Sequence, residues 1–410
     1  MEFSPSNKTN YIFYYQNFNQ RSTLTFFQKT SNLRFTTLRN ALDLCVMSRF
    51  SSISITLGER ISRIYSDLRV GIPIIIHAEE SYLIVPVETL NQTRFNVIRS
   101  HLEDLRLVIS SRRAKTLKMS SYDKDLARIK VPSDRNLEWL RAVADPSQDL
   151  IYGIKGPFNQ MRGGDTRVEH IGLLLSKTAE LLPAILTVNL KDPKIDSDDL
   201  TSIHIDDLIS FFEKDFVSRE VISARLPTET AKSGKLHVFR PELNGPEHYA
   251  MEYGDIDRNF PVLVRIHSAC FTGDVLGSLK CDCGAQLSEA MLQINKNSSG
   301  ILIYLNQEGR GIGLANKMRA YALQDEGFDT VEANHRLGFE DDERDFQIGA
   351  SILNELKISS IRLMTNNPNK IRLLEENGVN VTERLALIVE ENELNAHYLG
   401  TKAKKSGHLL

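Results

Sequence analysis

Residues 301–324 read ILIYLNQEGRGIGLANKMRAYALQ. Ile301–Leu305 is a short apolar run rich in β-branched residues, the signature of a buried strand. Asn306–Gly313 follows, with glycines at 309, 311 and 313. Apolar residues then return at helical spacing from Leu314 to Gln324, and Gly327 stands where a helix C-cap is expected. Strand, glycine loop and helix in that order predict an α/β unit. Strand-like segments at Leu236–Phe239, Val262–Ile266 and Ile361–Met364 flank it.

Upstream the pattern is again mixed. Leu57–Leu68 has helical spacing, and Ile72–Ile76 reads as a buried strand after Val70-Gly71. Phe95–Leu105 is helix-like. Gly163–Thr166 is a turn, with a helix predicted over Val168–Leu182, ended by Pro183 before a strand at Ile185–Leu190. An acidic stretch follows, with Asp192, Asp196, Asp198, Asp199, Asp206 and Asp207, part of it (Ile205–Phe216) helix-like. With 410 residues, the chain suits two cores better than one. The reading is therefore an α/β (α+β) protein of two mixed domains, 47–218 and 219–410, with the boundary near Ser218 and an irregular leader over 1–46. That leader is rich in Asn, Ser, Thr and Phe, with Glu2 and Asp43 as its only acids. It reads either as an irregular segment ahead of a true start at Met47 or as an organellar targeting peptide. No internal repeat and no low-complexity linker is visible.

A net charge of -3 argues against a general nucleic-acid binder, so any phosphate site must come from a local cluster of Lys and Arg. The longest apolar run, Val70–Ile76, is far too short to cross a bilayer. Four cysteines do not make a disulfide scaffold, and three of them, Cys270, Cys281 and Cys283, fall in one stretch. That favours metal binding in a reducing, cytoplasmic compartment. Cys45 stands apart as an ordinary thiol.

Thiolates are soft ligands that suit zinc, and the C-x10-C-x-C spacing lets three sulfurs close on one ion. Cys281 and Cys283, two apart, are expected on one face of a strand, with Gly284 turning the chain after them. Three protein ligands leave a fourth position open, as a catalytic zinc needs to acidify a water. A structural zinc with His267 as fourth ligand, or three buried cysteines without metal, fits the spacing equally. The Asn306–Gly313 loop can offer amides to an anion at a helix N-terminus, with Arg310 and Lys317 adding charge. It can also simply join strand to helix. Asp341–Asp345 sets Arg344 inside an acidic run that otherwise reads as a solvated loop. Thr365–Lys370 could hold a base edge or phosphate, or be a polar turn.

Taken together, these segments resemble GTP cyclohydrolase II. They are RIHSACFTGDVLGSLKCDCGAQL (265–287), YLNQEGRGIGLANKMRAYALQDEGFDTVEANHRLGF (304–339), DDERDF (341–346), RLMTNNPNK (362–370) and HYLGTKAKKSGHLL (397–410), with ARLPTE (224–229) and EHYAM (247–251) ahead of them. The resemblance implies one zinc per chain on Cys270, Cys281 and Cys283. It implies a GTP site lined by Arg265, Ile266, His267, Ser268, Ala269, Gln286, Glu308, Gly309, Arg310, Thr330, Thr365 and Lys370. Asp342 would be the proton acceptor, Arg344 the nucleophile at the α-phosphate, and Tyr321 would sit beside the reacting centre. Magnesium would accompany GTP, and a homodimer is expected, with neither nucleic acid nor membrane as partner. The implied reaction converts GTP to formate, pyrophosphate and 2,5-diamino-6-(ribosylamino)-4(3H)-pyrimidinone 5'-phosphate, the first step of riboflavin synthesis. Arginine is a poor nucleophile while charged, so a neighbouring carboxylate has to help. The family has glutamate before its first zinc cysteine where this chain has Ala269, which keeps open a related hydrolase that opens another nucleotide's ring.

Residues 60–190 more faintly resemble 3,4-dihydroxy-2-butanone 4-phosphate synthase. The traces are Arg69–Ile76, Asp134-Arg135, Met161–Thr166 and Leu182–Ala184. That family's acidic, arginine-containing loop is missing after Ile76, and its His-Thr-Glu is Asp165-Thr166-Arg167 here. The expectation is a synthase-like fold without synthase activity, with an unrelated α/β domain or a bifunctional enzyme as the alternatives.

Overall fold

A computed structural model describes residues 54–190, 199–214, 217–242 and 245–389. The leader, Cys45, the acids at 192, 196 and 198, and the segment 397–410 lie outside the described residues. Two sheets organise the chain from Thr56 onward.

The first has six strands: β1 Ile74–His77, β2 Ser81–Pro86, β3 Arg106–Ser110, β4 Leu126–Lys130, β5 Ala184–Asn189 and β6 Ser202–His204. Their order is β4-β3-β5-β2-β1-β6, antiparallel except where β1 meets β6. Helices cover both faces. Ile74, Ile76, Ile84, Val108 and Ile185 pack with Ile61, Ile64, Leu68 and Leu175. Ile75, Leu83, Leu107, Ile129 and Leu186 pack with Phe95, Trp139 and Leu140. Successive strand residues face opposite layers, which is why the run at 72–76 shows no polar alternation.

The helices differ from expectation at their ends. Leu57–Arg69 forms as predicted, its start fixed by a capping box between Thr56 and Glu59. The helix expected over 95–105 runs Gln92–His101 instead, capped by the Asn91 side chain, and Leu105 belongs to the lead-in of β3. The helix after the Gly163–Thr166 turn runs Arg167–Thr178 and ends well before Pro183, because Glu180 takes a left-handed φ of 60°. The helix expected to reach Phe216 runs Ile205–Phe212.

The second sheet has seven strands: β7 Ser218–Arg225, β8 Gly234–Pro241, β9 His248–Tyr253, β10 Val262–Ser268, β11 Gly300–Leu305, β12 Ser360–Met364 and β13 Asn380–Leu385. The order is β13-β12-β10-β11-β9-β8-β7. β13, β12, β10 and β11 are parallel, while β9, β8 and β7 extend the sheet antiparallel. Helix Cys283–Lys296 covers one face through Ala290 and Ile294. Helices Gln347–Glu355 and Pro368–Glu376 cover the other through Ile352, Leu353 and Leu374. The crossover from β10 to β11 therefore lies on one face and the crossover from β12 to β13 on the other, so the chain leaves β10 and β12 in opposite directions at their carboxyl ends, which is where a parallel sheet opens a crevice.

His248 on β9 helps fix the exit of β11. It is 1% exposed, and its Nδ1 accepts the Asn306 N–H at 3.0 Å. Burial pushes its pKa down to about 4. The unfolded chain therefore takes up this proton first as pH falls. The neutral form's contribution is whole above about pH 6.5 and is lost progressively toward pH 4, up to about 3 kcal/mol. His248→Asn keeps an acceptor but cannot titrate. Urea unfolding should show wild type losing roughly 2 kcal/mol more than His248→Asn between pH 7 and pH 5. Equal losses would mean that this imidazole is not what acid attacks.

Candidate active site

The carboxyl ends of β10, β11 and β12 open onto one cleft. Most of the residues singled out in the sequence line it: Arg265, His267, Ser268 and Ala269 from β10 and its exit, then Gln286, Glu308, Gly309, Arg310, Tyr321, Thr330, Arg344, Thr365 and Lys370, with all three cysteines. Ile266 faces the other way, 1% exposed in the core, and only its carbonyl takes part, accepting from Lys370 Nζ at 3.1 Å. Asp342 lies behind Arg344 rather than in the lining.

The cysteines do not sit as expected. Cys283 opens helix Cys283–Lys296 with Asp282 at its N-cap, so Cys281 and Cys283 converge across a helix start rather than along a strand. Gly284 is in the helix's first turn and turns nothing. Helix N-terminal amides favour a thiolate there. The three sulfurs lie within 4.8 Å of one another, and Cys270 Sγ is 3.7 Å from Cys281 Sγ. Two thiolates on a tetrahedral ion with bonds of about 2.3 Å stand roughly 3.8 Å apart, so the spacing fits zinc. The three thiols share charge unequally among themselves. Hydrogen bonds from the Cys281 and Cys283 thiols, aided by Lys317, hold Cys270 far below its usual range, while Cys270 pushes both partners up. A soft divalent cation is the partner that lets all three ionise. His267 is turned away from them: its Nε2 meets Asp274 at 3.2 Å, and among the described residues the metal-holding group is the three cysteines alone.

Two carboxylates flank this cluster. Asp274 accepts from the Cys270 N–H at 3.0 Å and from the Tyr304 hydroxyl at 2.8 Å, and His267 stacks on Tyr304. Glu308 accepts from the Phe271 N–H at 2.6 Å and from Lys317 Nζ at 2.9 Å, and Lys317 also donates to Cys270 Sγ at 3.0 Å. Asp274, Tyr304 and the central place of Lys317 were not singled out from the sequence. Asp274 and Tyr304 lie inside segments quoted for resemblance, but no spacing marks a carboxylate that works through a backbone amide.

The acidic loop reaches the same cleft through Arg344. Arg344 donates from Nε to Asp342 Oδ1 at 2.7 Å and from Nη2 to Oδ2 at 2.5 Å, a bidentate pair, and from Nη1 to Ser268 Oγ at 3.3 Å. Burial pushes the Asp342 carboxyl up, but the Arg344 hydrogen bonds and charge outweigh it and hold it below the usual range. The glycine loop touches this segment: a Cβ on Gly311, at φ 89°, would meet the Glu343 carbonyl at 2.7 Å. Arg265 is buried, bonded to the Met364 carbonyl at 3.0 Å and to Gln286 Oε1 at 2.7 Å, and burial lowers its pKa to about 10, so it stays cationic at neutral pH. Arg265, Arg310, Lys317, Arg344 and Lys370 give the cleft a cationic lining that suits a polyphosphate.

The family profile described as GTP cyclohydrolase II matches residues 218–386. A GTP cyclohydrolase-2 of Azospirillum brasilense is 39% identical over 316 residues, covering 74% of this chain and 80% of that protein. The chain belongs to the GTP cyclohydrolase II family. A GTP cyclohydrolase-2 of Shigella dysenteriae is 54% identical over 193 residues, 47% of this chain and 97% of that protein. Membership of the GTP cyclohydrolase II family makes the chain a hydrolase, and the residues gathered in the cleft come from the part of the chain that carries it. Among solved structures, a two-domain 3,4-dihydroxy-2-butanone 4-phosphate synthase from A. baumannii aligns over 81% of this chain and 100% of that one, at 16% identity and a TM-score of 0.28. No helix among the described residues is long and apolar enough to cross a membrane.

Proposed function

We propose that the chain hydrolyses GTP to formate, pyrophosphate and 2,5-diamino-6-(ribosylamino)-4(3H)-pyrimidinone 5'-phosphate. The observation that carries this reading is the meeting of two chemistries in one cationic cleft: a three-thiol cluster and an Arg344–Asp342 pair. The direct test is to incubate the purified protein with GTP and identify the products. A different ring-opened product, or turnover of another nucleotide in preference, would favour the rival hydrolase suggested by Ala269. Against that rival, Glu308 and Asp274 keep two carboxylates beside Cys270 despite the alanine.

Cys270, Cys281 and Cys283 would hold one zinc ion per chain, which when bound supplies a Lewis acid and a lowered pKa for its water. Arg265, Arg310 and Lys370, with magnesium brought by GTP, would neutralise the phosphates. Arg344 would attack the α-phosphate, forming an N–P bond as the α–β bridge breaks and pyrophosphate leaves, while Asp342, held as carboxylate, takes its proton; water would then cleave the N–P bond, returning the proton to Arg344 and freeing the 5'-phosphate. Gln286, Thr330 and Thr365 would orient the base, and Tyr321 would close over it. A homodimer belongs to the same reading: Val275, Leu276 and Leu279 expose apolar surface on one short segment suited to a second copy. The cluster of free thiols suits the cytoplasm.

Residues 47–218 would form a domain without synthase chemistry. Asp165, the one acid left at the altered motif, is half-exposed and paired with Arg167 at 2.8 Å, so a fixed positive charge stands where a magnesium ion would have to bind. Glu169, a candidate substitute, is buried with its Oε1 3.6 Å from Arg106 Nη1 and 4.0 Å from Arg128 Nη1, so its carboxylate is not offered to magnesium. The whole chain supplied with ribulose 5-phosphate and magnesium should form no 3,4-dihydroxy-2-butanone 4-phosphate. Turnover at an enzymatic rate would make the protein bifunctional.

A further inference from the structure

The first sheet's half reaches into the walls of the cleft at several points. Lys177, in the last turn of helix Arg167–Thr178, pairs with Glu343 at 2.6 Å, and both side chains are about four-fifths buried, at 21% and 19% exposure. Glu343 is the residue before Arg344. Its carboxylate also accepts the Glu340 N–H at 2.8 Å, and its own N–H donates to the Arg310 carbonyl at 3.1 Å. Arg112 pairs with Glu340 at 2.5 Å, more exposed. On the neighbouring helix Gly313–Asp325, which carries Lys317 and Tyr321, Arg319 pairs with Glu88 at 2.9 Å and Asn316 donates to the Glu180 carbonyl at 2.9 Å. Leu182 enters the apolar cluster of Ile312, Ala320 and Phe339. Gly338, at φ 92°, lies so close to Ser110 and Pro183 that a Cβ there would stand 2.7 Å and 2.8 Å from them.

We propose that Lys177 is a positioning residue for the hydrolase cleft, holding Glu343 so that the Glu340–Arg344 segment presents the Arg344 guanidinium to substrate. The inference rests on the reading that Arg344 acts on GTP. The charge geometry singles out Lys177 over Arg112. It is the less exposed cation and so the less screened, and its partner is the immediate neighbour of Arg344. Loss of the pair removes the one charged anchor at Glu343, leaving the segment to the Arg310 carbonyl, the Glu340 turn, the exposed Arg112 pair and the bonds of Asp341 to Arg310 and His335, of Asp345 to Gln307 and of Arg344 to Ser268. A shift of about 1 Å at a reacting group costs on the order of a hundredfold in rate, so partial loosening should cost about tenfold.

The test uses the full chain. Lys177→Met should lower kcat for pyrophosphate release about tenfold. KM for GTP, zinc content and Tm should stay close to wild type. Amide hydrogen exchange over 340–346 should quicken. Lys177→Arg should restore most of the rate, and the exchanged pair Lys177→Glu with Glu343→Lys should outperform Lys177→Glu alone. Unchanged kcat in Lys177→Met overturns the proposal. So does a loss that neither Lys177→Arg nor the exchanged pair repairs, since that is damage to the fold. If wild type turns over no GTP, the functional reading fails instead, and the exchange rate over 340–346 then decides this contact: no quickening in Lys177→Met overturns it.

Discussion

Arg344→Ala should release no pyrophosphate from GTP, with turnover falling on the order of 10³-fold or more, because removing the attacking group costs more than removing one stabilising donor. The proposed roles supply the reason. The guanidinium is held by both oxygens of Asp342 and by Ser268, in the lining of a cleft whose other cations would bind the phosphates. Asp342, its carboxyl held below the usual range and in contact with the guanidinium, would take the proton that an attacking arginine must lose. Cys270→Ser is the necessary contrast. It alters the thiol cluster and leaves the Arg344–Asp342 pair in place, so it should spare pyrophosphate release and stop formate release. Rapid-quench assays that follow both products separate the two steps. If both variants fail at the same step, the division of labour between the thiol cluster and the Arg344–Asp342 pair is wrong.

Cys281→Ser should lose the metal and, with it, all detectable formate release. Three sulfurs within 4.8 Å make the whole of the described ligand set, and a hydroxyl is a poor substitute for a thiolate toward a borderline-soft ion. Elemental analysis should find about one zinc per wild-type chain and far less in Cys281→Ser, a readout that does not depend on turnover. Active wild-type protein without zinc would sink the assignment. Gly273 packs against the sulfurs, with a Cβ there standing 2.9 Å from Cys281 Sγ, so the pocket has no slack for a displaced ligand.

Much of this site could be read before any coordinates, and the reasons differ by residue. The strand–loop–helix at 301–324 folds as its pattern predicts, because each piece obeys a local rule: β-branched strand, glycines at positive φ, helical spacing. The cysteine cluster was legible because thiols are rare and close in sequence. Where expectation failed, tertiary geometry had overruled a local rule. Cys281 and Cys283 looked like strand neighbours, yet the chain turns into a helix between them. Pro183 looked like a helix stop, but the helix had already ended at the left-handed Glu180. Tyr304 is illegible as a site residue because His267 is brought beside it only by the parallel pairing of β10 with β11, and Asp274 because its bond to the Cys270 N–H, four residues back, is a turn contact that no spacing rule marks. The links Lys177–Glu343 and Glu88–Arg319 span 166 and 231 residues and leave no trace in either local pattern.

The close fit of Leu182, Gly338 and Ser110 bears on how the protein melts. A leucine from one sheet's half sits in the apolar cluster of the other, and its replacement would leave a hole in a core that its own strands do not own. Neither half can then come apart without exposing apolar surface of the other. Heat and urea should accordingly meet one cooperative body from residue 56 onward, with a single transition and one enthalpy, although the chain is built on two sheets.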